Sequence, residues 1–378
     1  MDLLSDKYAR SILRALYAGG AQTRKQVMVR LKMRLNALVE VFNQLEAEGH
    51  IVHLSEHLQR NNPLQLNQRR FASVGIEHGV DRLHCVLLGI DGRRLASTTY
   101  SLEATAGGRR RLKSILEHIR HFLNDQPGWG ISALGFADIG IVNTESGEGV
   151  CSVLIPGWNH VPLEQLLHQE FGLFTKVVDR SGAGALDMLR TFPDDEDVKT
   201  SLQVFVGNGI GASILQNGRY WGANTPSSCQ LGHIVVKPGG RPCTCGGRGC
   251  LEAEAAIPAL QARAQELGVK GLHSREDFLH LTARGNGKCL QSLEEGATTL
   301  GIAVANIVTF TAVTSVILRS DLCQITPRYF ESFQAAVKSH VLLPFASSLR
   351  FKVSQQGQDC SALGAAYYAQ REFFLEDD

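Results

Sequence analysis

One local pattern occurs twice in this chain, and it constrains the fold more than any other feature. Val74-Gly75-Ile76, Leu83 to Leu88, a turn at Asp91-Gly92 and Leu95 to Tyr100 read as three antiparallel strands. A helix near Arg109 to Leu123 and a strand at Ala133 to Ala137 follow. About 130 residues further on, Leu202 to Leu215 restarts the order, with glycines at 207, 209 and 211, a turn at Asn217-Gly218 and another strand. Two β-β-β-α-β-α series predict an α/β body of duplicated halves facing a cleft, where ligands tend to lie. The charge-free stretch Gly301 to Leu318 is interrupted by Asn306, Thr309, Thr311, Thr314 and Ser315, so it reads as a buried helix running into a strand and not as a membrane span. With 44% apolar residues, 20% charged and 38 Gly against 11 Pro, the composition excludes a collagen or a disordered tail. The length, 378 residues, suits two or three domains.

Charge separates a small head from this body. Residues 1–72 hold 11 of the 38 Lys and Arg but 6 of the 37 Asp and Glu, and no acid lies between Lys7 and Val39. A one-signed surface of this kind favours phosphate backbones. Ile12, Leu13, Leu16 and Tyr17 recur at helical spacing before Gly19-Gly20, and Thr23 N-caps a short second helix through Val27, Met28 and Leu31. A third helix carries Leu35, Leu38, Val41, Phe42 and Leu45 on one face and stops at Gly49. Residues His50 to Leu54 and a stretch ending Arg69-Arg70-Phe71 are expected to pair around a polar tip at Gln59 to Pro63. Three helices and a hairpin predict a winged helix-turn-helix, with Arg34 and Asn36 reading bases and Lys25, Arg30 and Lys32 meeting phosphates. Met33-Arg34 replaces the small polar start expected of a reading helix, and this keeps open a three-helix interaction module without DNA. One winged helix covers a half-site, so a homodimer or homotetramer on a palindromic operator is expected. Met1 to Lys7 has no cationic, apolar or cleavage-site character of a leader, which predicts a cytoplasmic protein without membrane contact.

Cys243, Cys245 and Cys250 fall within eight residues, and His233 lies ten before the first. Three thiols and an imidazole at this spacing predict a tetrahedral, structural zinc site with no open position. Glycines 246, 247 and 249 supply the sharp bends such a loop needs. The other six cysteines are scattered and read as core residues.

Leu231-Gly232-His233 followed by Cys243-Thr244-Cys245-Gly246-Gly247-Arg248-Gly249-Cys250-Leu251-Glu252 resembles the zinc loop of the ROK family of repressors, open reading frames and kinases. The Gly207 to Gly211 turn, Pro156-Gly157-Trp158 and Leu363-Gly364-Ala365-Ala366 support the resemblance, which covers nearly the whole chain. It implies an α/β protein with a winged helix-turn-helix over residues 1–72 and a duplicated actin-like, ribonuclease-H-like ATPase fold over 73–378. In that body, 73–180 with the C-terminal helix 361–378 would form the smaller lobe, and 181–360 the larger lobe with the zinc loop. It further implies a bacterial regulator, in all expectation a repressor, of carbohydrate-related genes. The competing readings are an active ATP-dependent sugar kinase with an N-terminal extension and a scaffold that binds no DNA.

Sugar phosphorylation needs a carboxylate base, and where the family's active members resemble Glu-Asn-Asp-Ala-Asn this chain reads Val178-Asp179-Arg180-Ser181-Gly182. The base position falls on Arg180, whose guanidinium stays protonated and accepts no proton. Asp81 stands where a hydroxyl would meet phosphate, and Arg319-Ser320-Asp321 replaces a glycine pair beside the nucleotide. The body is therefore expected to be inactive, with no bound ATP. The resemblance places Asp179, Arg180, Gln230, His233 and Glu252 around a sugar or sugar-phosphate effector. Two readings of Arg180 stand side by side: a receptor for an acidic ligand, or a partner of Asp179, Glu252 or Asp81 that closes the cleft.

Overall fold

The computed structural model describes residues 6–33, 35–54, 62–223, 225 and 229–375, with the backbone alone at 35–37. The head contains helices α1 (Lys7–Gly19), α2 (Arg24–Leu31) and α3 (Leu35–Ala47) and the antiparallel strands β1 (Ile51–His53) and β2 (Leu64–Leu66). Each start has a local cause. Asp6 accepts the amides of Tyr8 and Ala9, and Thr23 and Gln26 form a reciprocal capping box ahead of α2. The second strand differs from expectation: it is Leu64–Leu66, because Asn67 to Arg70 close a turn instead of extending the pair. Leu64 also bridges to Gln22, which ties the hairpin to the α1–α2 connection. Ile12, Leu16, Val27, Leu38, Phe42 and Leu45 are buried together with Phe71, the helical positions as the spacing predicted, and Phe374 joins them from outside the head.

The body opens with β3 (Ala72–His78), β4 (Arg82–Leu88), β5 (Arg94–Ser101), α4 (Gly108–Asn124) and β6 (Ile131–Asp138). A small sheet of β7 (Ile141–Asn143), β8 (Glu148–Cys151) and β9 (Asn159–Val161) comes next, followed by α5 (Leu163–Phe171), β10 (Phe174–Asp179) and α6 (Arg180–Thr191). The second half runs α7 (Glu196–Lys199), β11 (Ser201–Val206), β12 (Ile210–Gln216), β13 (Arg219–Tyr220), α8 (Leu251–Ala255), α9 (Ile257–Glu266), α10 (Arg275–Ala283) and α11 (Gly287–Thr311). It closes with β14 (Ser315–Arg319), α12 (Leu322–Ile325), α13 (Pro327–His340), α14 (Leu343–Ala346), β15 (Arg350–Val353) and α15 (Cys360–Leu375). The sheets have the orders β10-β6-β3-β4-β5 and β13-β12-β11-β14-β15. In each, the first strand pairs antiparallel with the second and parallel with the fourth, so the duplication expected from the two glycine-rich hairpins is present in topology. The charge-free stretch is α11 running into β14, and among the described residues no helix is long and apolar enough to cross a membrane.

Helix α15 packs between the first sheet and α6. The approach is close: a Cβ on Gly364 would lie 1.7 Å from the carbonyl oxygen of Ala183, and one on Gly135 would lie 1.8 Å from that of Ala365. Only hydrogen fits at these contacts.

Candidate functional site

Asp179 ends β10 and N-caps α6, accepting the amides of Ser181 at 3.0 Å and Gly182 at 2.9 Å. Its second oxygen accepts the phenol of Tyr220, whose ring lies over Gly182. The carboxyl is buried and burial pushes its pKa up, against the pull of Tyr220 and the two amides. Both of its oxygens are thus engaged within the fold.

Arg180 donates from Nη2 to Oε1 of Glu77 at 2.8 Å, and Arg82 reaches the same oxygen at 3.5 Å. Glu77 is 2% exposed. The partner is therefore Glu77 and not Asp179, Glu252 or Asp81. Sheet register is the reason: β3 and β10 flank β6, with Glu77 opposite Ala137 and Asp179 opposite Asp138, so Glu77 and Arg180 leave the sheet at one end. Asp81 lies exposed in the β3–β4 turn. Arg319, at the end of β14, stacks its guanidinium on Phe205 at 5.2 Å and donates to the Cys360 thiol and the Gly357 carbonyl.

Sequence reasoning missed a buried chain of polar groups under the first hairpin. Trp158 Nε1 donates to Asp138 at 2.9 Å, Asp138 bonds His78 Nδ1 at 2.7 Å, and Arg111 Nε donates to His78 Nε2 at 2.7 Å. Arg111 also donates to the carbonyls of Gly79 and Val80, holding the turn that in the family resembles a phosphate loop. The signal was present in the helical period: Arg111 falls on the face of Ile115, Ile119 and Phe122, while Arg109 and Arg110 do not.

In the second half, Glu252 Oε2 accepts the amide of Ile210 at 3.0 Å. Ser181 Oγ sits against Gly211, so the start of β12 lies between the start of α6 and Glu252 and brings Asp179, Arg180 and Glu252 around it. Gln230 directly precedes the single turn Leu231–His233. His233 points elsewhere: its Nδ1 is 3.6 Å from the sulfur of Cys243, and Cys245 and Cys250 sulfurs are 3.7 Å apart. The four donor atoms of His233, Cys243, Cys245 and Cys250 all lie within 4.8 Å of one another. A tetrahedron with metal–sulfur bonds of about 2.3 Å has sulfur–sulfur edges of about 3.8 Å, close to the two short separations, so the donor set suits zinc. Gly249, at φ +71°, makes the bend possible, since a Cβ there would meet the Lys237 carbonyl.

On the head, Lys25, Arg30 and Lys32 are exposed on α2 and its C-cap. Arg34 and the side chain of Asn36 lie outside the described residues. Arg24 turns inward to Glu46 at 2.5 Å and over the ring of Phe42.

A family model described as ROK family matches residues 73–372. The chain belongs to the ROK family. Over 307 residues it is 24% identical to a xylose repressor of Bacillus subtilis (strain 168), covering 80% of this chain and 77% of that one. A glucokinase of Thermotoga maritima is 25% identical over 308 residues, covering 78% of this chain and 95% of the enzyme. Among solved structures, a ROK family transcriptional regulator, a homologue of the Escherichia coli MLC protein, superposes with a TM-score of 0.83 at 18% identity, covering 97% of this chain and 96% of that one. Repressors and kinases thus share the ROK body, and the regulator's fold extends over the head.

Proposed function

We propose that this ROK chain is a transcriptional repressor of carbohydrate-related genes, with a winged helix that binds a palindromic operator and a kinase-like body that does no phosphoryl transfer. One observation carries the reading: the side chain at the position of the base is a guanidinium already paired with a buried carboxylate, Glu77. A guanidinium takes no proton from a sugar hydroxyl, and the neighbouring Asp179 is bonded on both oxygens. Kinship with a protein named xylose repressor and the fold of a ROK regulator support the regulatory side. Lys25, Arg30 and Lys32 would meet phosphates, with Arg34 and Asn36 on the bases.

A sugar or sugar phosphate would enter beside Asp179, Arg180 and Glu252 with Gln230 as a further contact, displacing Tyr220 from Asp179 or Arg180 from Glu77. His233, Cys243, Cys245 and Cys250 would hold one structural zinc, which fixes the loop that leads into Glu252 and supplies no chemistry. ATP is not expected to bind, since Arg319 occupies the end of β14. The active unit would be a homodimer or homotetramer in the cytoplasm. Kinship with a glucokinase keeps the kinase reading as the alternative. An electrophoretic shift against genomic fragments together with an ADP-release assay over a hexose panel separates them. Specific DNA binding without turnover is expected; turnover above background, or no bound fragment, overturns the proposal.

A further inference from the structure

Helix α15 runs from the cleft to the head. Its first turn is gripped in the cleft: Arg319 donates to Cys360, Ser361 Oγ donates to the carbonyl of Arg180 at 3.4 Å, and Asp359 just before it pairs with His84 at 2.8 Å and with Arg94. Its middle is locked between α6 and the sheet through the backbone contact at Gly364. Its last turn enters the head. Phe374 stacks on Tyr17 of α1 with centroids 4.6 Å apart and rings 13° from parallel, and it meets Phe71 edge-on at 5.4 Å. Phe373 packs at right angles to Phe374 and reaches Phe71 and Phe174. Sixteen residues at about 1.5 Å each make a rod of about 24 Å between these ends.

We infer that α15 is the mechanical link between cleft and head: a shift of its first turn, where Arg180 and Arg319 sit, is delivered as a shift of α1 through the Phe374–Tyr17 stack. Close-packed interiors transmit such displacements because they do not deform continuously. A head on a flexible tether would receive none. The inference does not need the effector to be known, and it deepens the repressor reading by naming how the body would reach the DNA.

The test uses the full chain and amide hydrogen exchange. Arg319→Met removes the guanidinium from Cys360 and keeps the apolar stem over Phe205. Exchange of the α1 amides Ile12 to Leu16 should change by about five-fold or more, the lower end of typical coupling between sites. Phe374→Leu keeps an apolar side chain but removes the stack, and in that background Arg319→Met should leave α1 exchange as it finds it. Arg263→Met, in α9, is the control that should leave α1 alone. Unchanged α1 exchange in Arg319→Met, or a response that survives Phe374→Leu, overturns the inference. A chain that binds no genomic fragment counts against the repressor reading, whereas the exchange result still decides the coupling.

Discussion

Replacing Arg180 by methionine tests whether its charge belongs to the fold or is held in reserve for a ligand. Glu77 is 2% exposed and faces two guanidinium groups, Arg180 at 2.8 Å and the more solvated Arg82 at 3.5 Å. Removing one partner of a buried ion pair costs roughly 3–5 kcal/mol because the other charge is left without compensation. Arg180 is 34% exposed and Arg82 remains, so about half of that, roughly 2 kcal/mol, is expected for Arg180→Met. The reverse change, Glu77→Gln, leaves Arg180 free to hydrate and should cost about 0.5 kcal/mol. The double variant should resemble Glu77→Gln, a coupling of about 2 kcal/mol. Arg180→Asp should be the least stable, since it places a second carboxylate beside a buried one, and it should not turn over ATP. Urea unfolding followed by tryptophan fluorescence reads the body, because Trp158 is fully buried in the first half and bonded to Asp138. If Arg180→Met is as stable as the parent, or Glu77→Gln costs more, the pair is not structural and the arginine is available to a ligand.

Further outcomes follow from the same geometry. Tyr220→Phe removes a bond to a buried carboxylate worth about 1.5–3 kcal/mol. The Asp179 pKa lies above its ordinary value, so its contribution to stability is complete below the ordinary carboxyl range and is lost as pH rises through the raised value. Losing the phenol raises it further, and urea midpoints should show a larger deficit at pH 8 than at pH 5. Elemental analysis should find one zinc per chain, and a chelator or Cys243→Ser should lower the melting temperature. Lys25→Ala should weaken all DNA sequences alike and reduce the salt slope by about one unit in shift assays at graded salt. Lys32 holds a left-handed cap at φ +55°, so Lys32→Gly should lose the same charge with stability kept or raised by up to about 1 kcal/mol.

Much of this was readable before any coordinates because it rests on local rules. The two hairpins, the caps at Asp6 and Thr23, and the thiol spacing at 243, 245 and 250 each need only near neighbours in the chain. The partner of Arg180 was not readable, since Glu77 reaches it only through a sheet register set by β6. Arg111 could have been singled out by its place on the apolar face of α4, but its partners His78, Gly79 and Val80 lie on a distant hairpin. Tyr220 carried no motif at all; its role comes from the space left by Gly182 and Gly222. The strand at Leu64–Leu66 was misplaced because Asn67 to Arg70 turn on a backbone bond that composition does not announce.

The aromatic seam of Tyr17, Phe71 and Phe374 also bears on how the molecule is made. Phe374 leaves the ribosome long after Ile12 and Leu16, so the head must wait for its last core residue throughout synthesis of the body. Folding that depends on contacts so distant in sequence is slow and leaves apolar surface open in the interval. Chains cut short before α15 would lack the helix that fills the first sheet and the rings that complete the head. Such products would expose Ile12, Leu16, Val86 and Leu88 and fall to proteolysis. A cell would thus accumulate a completed head only in molecules whose body had been finished.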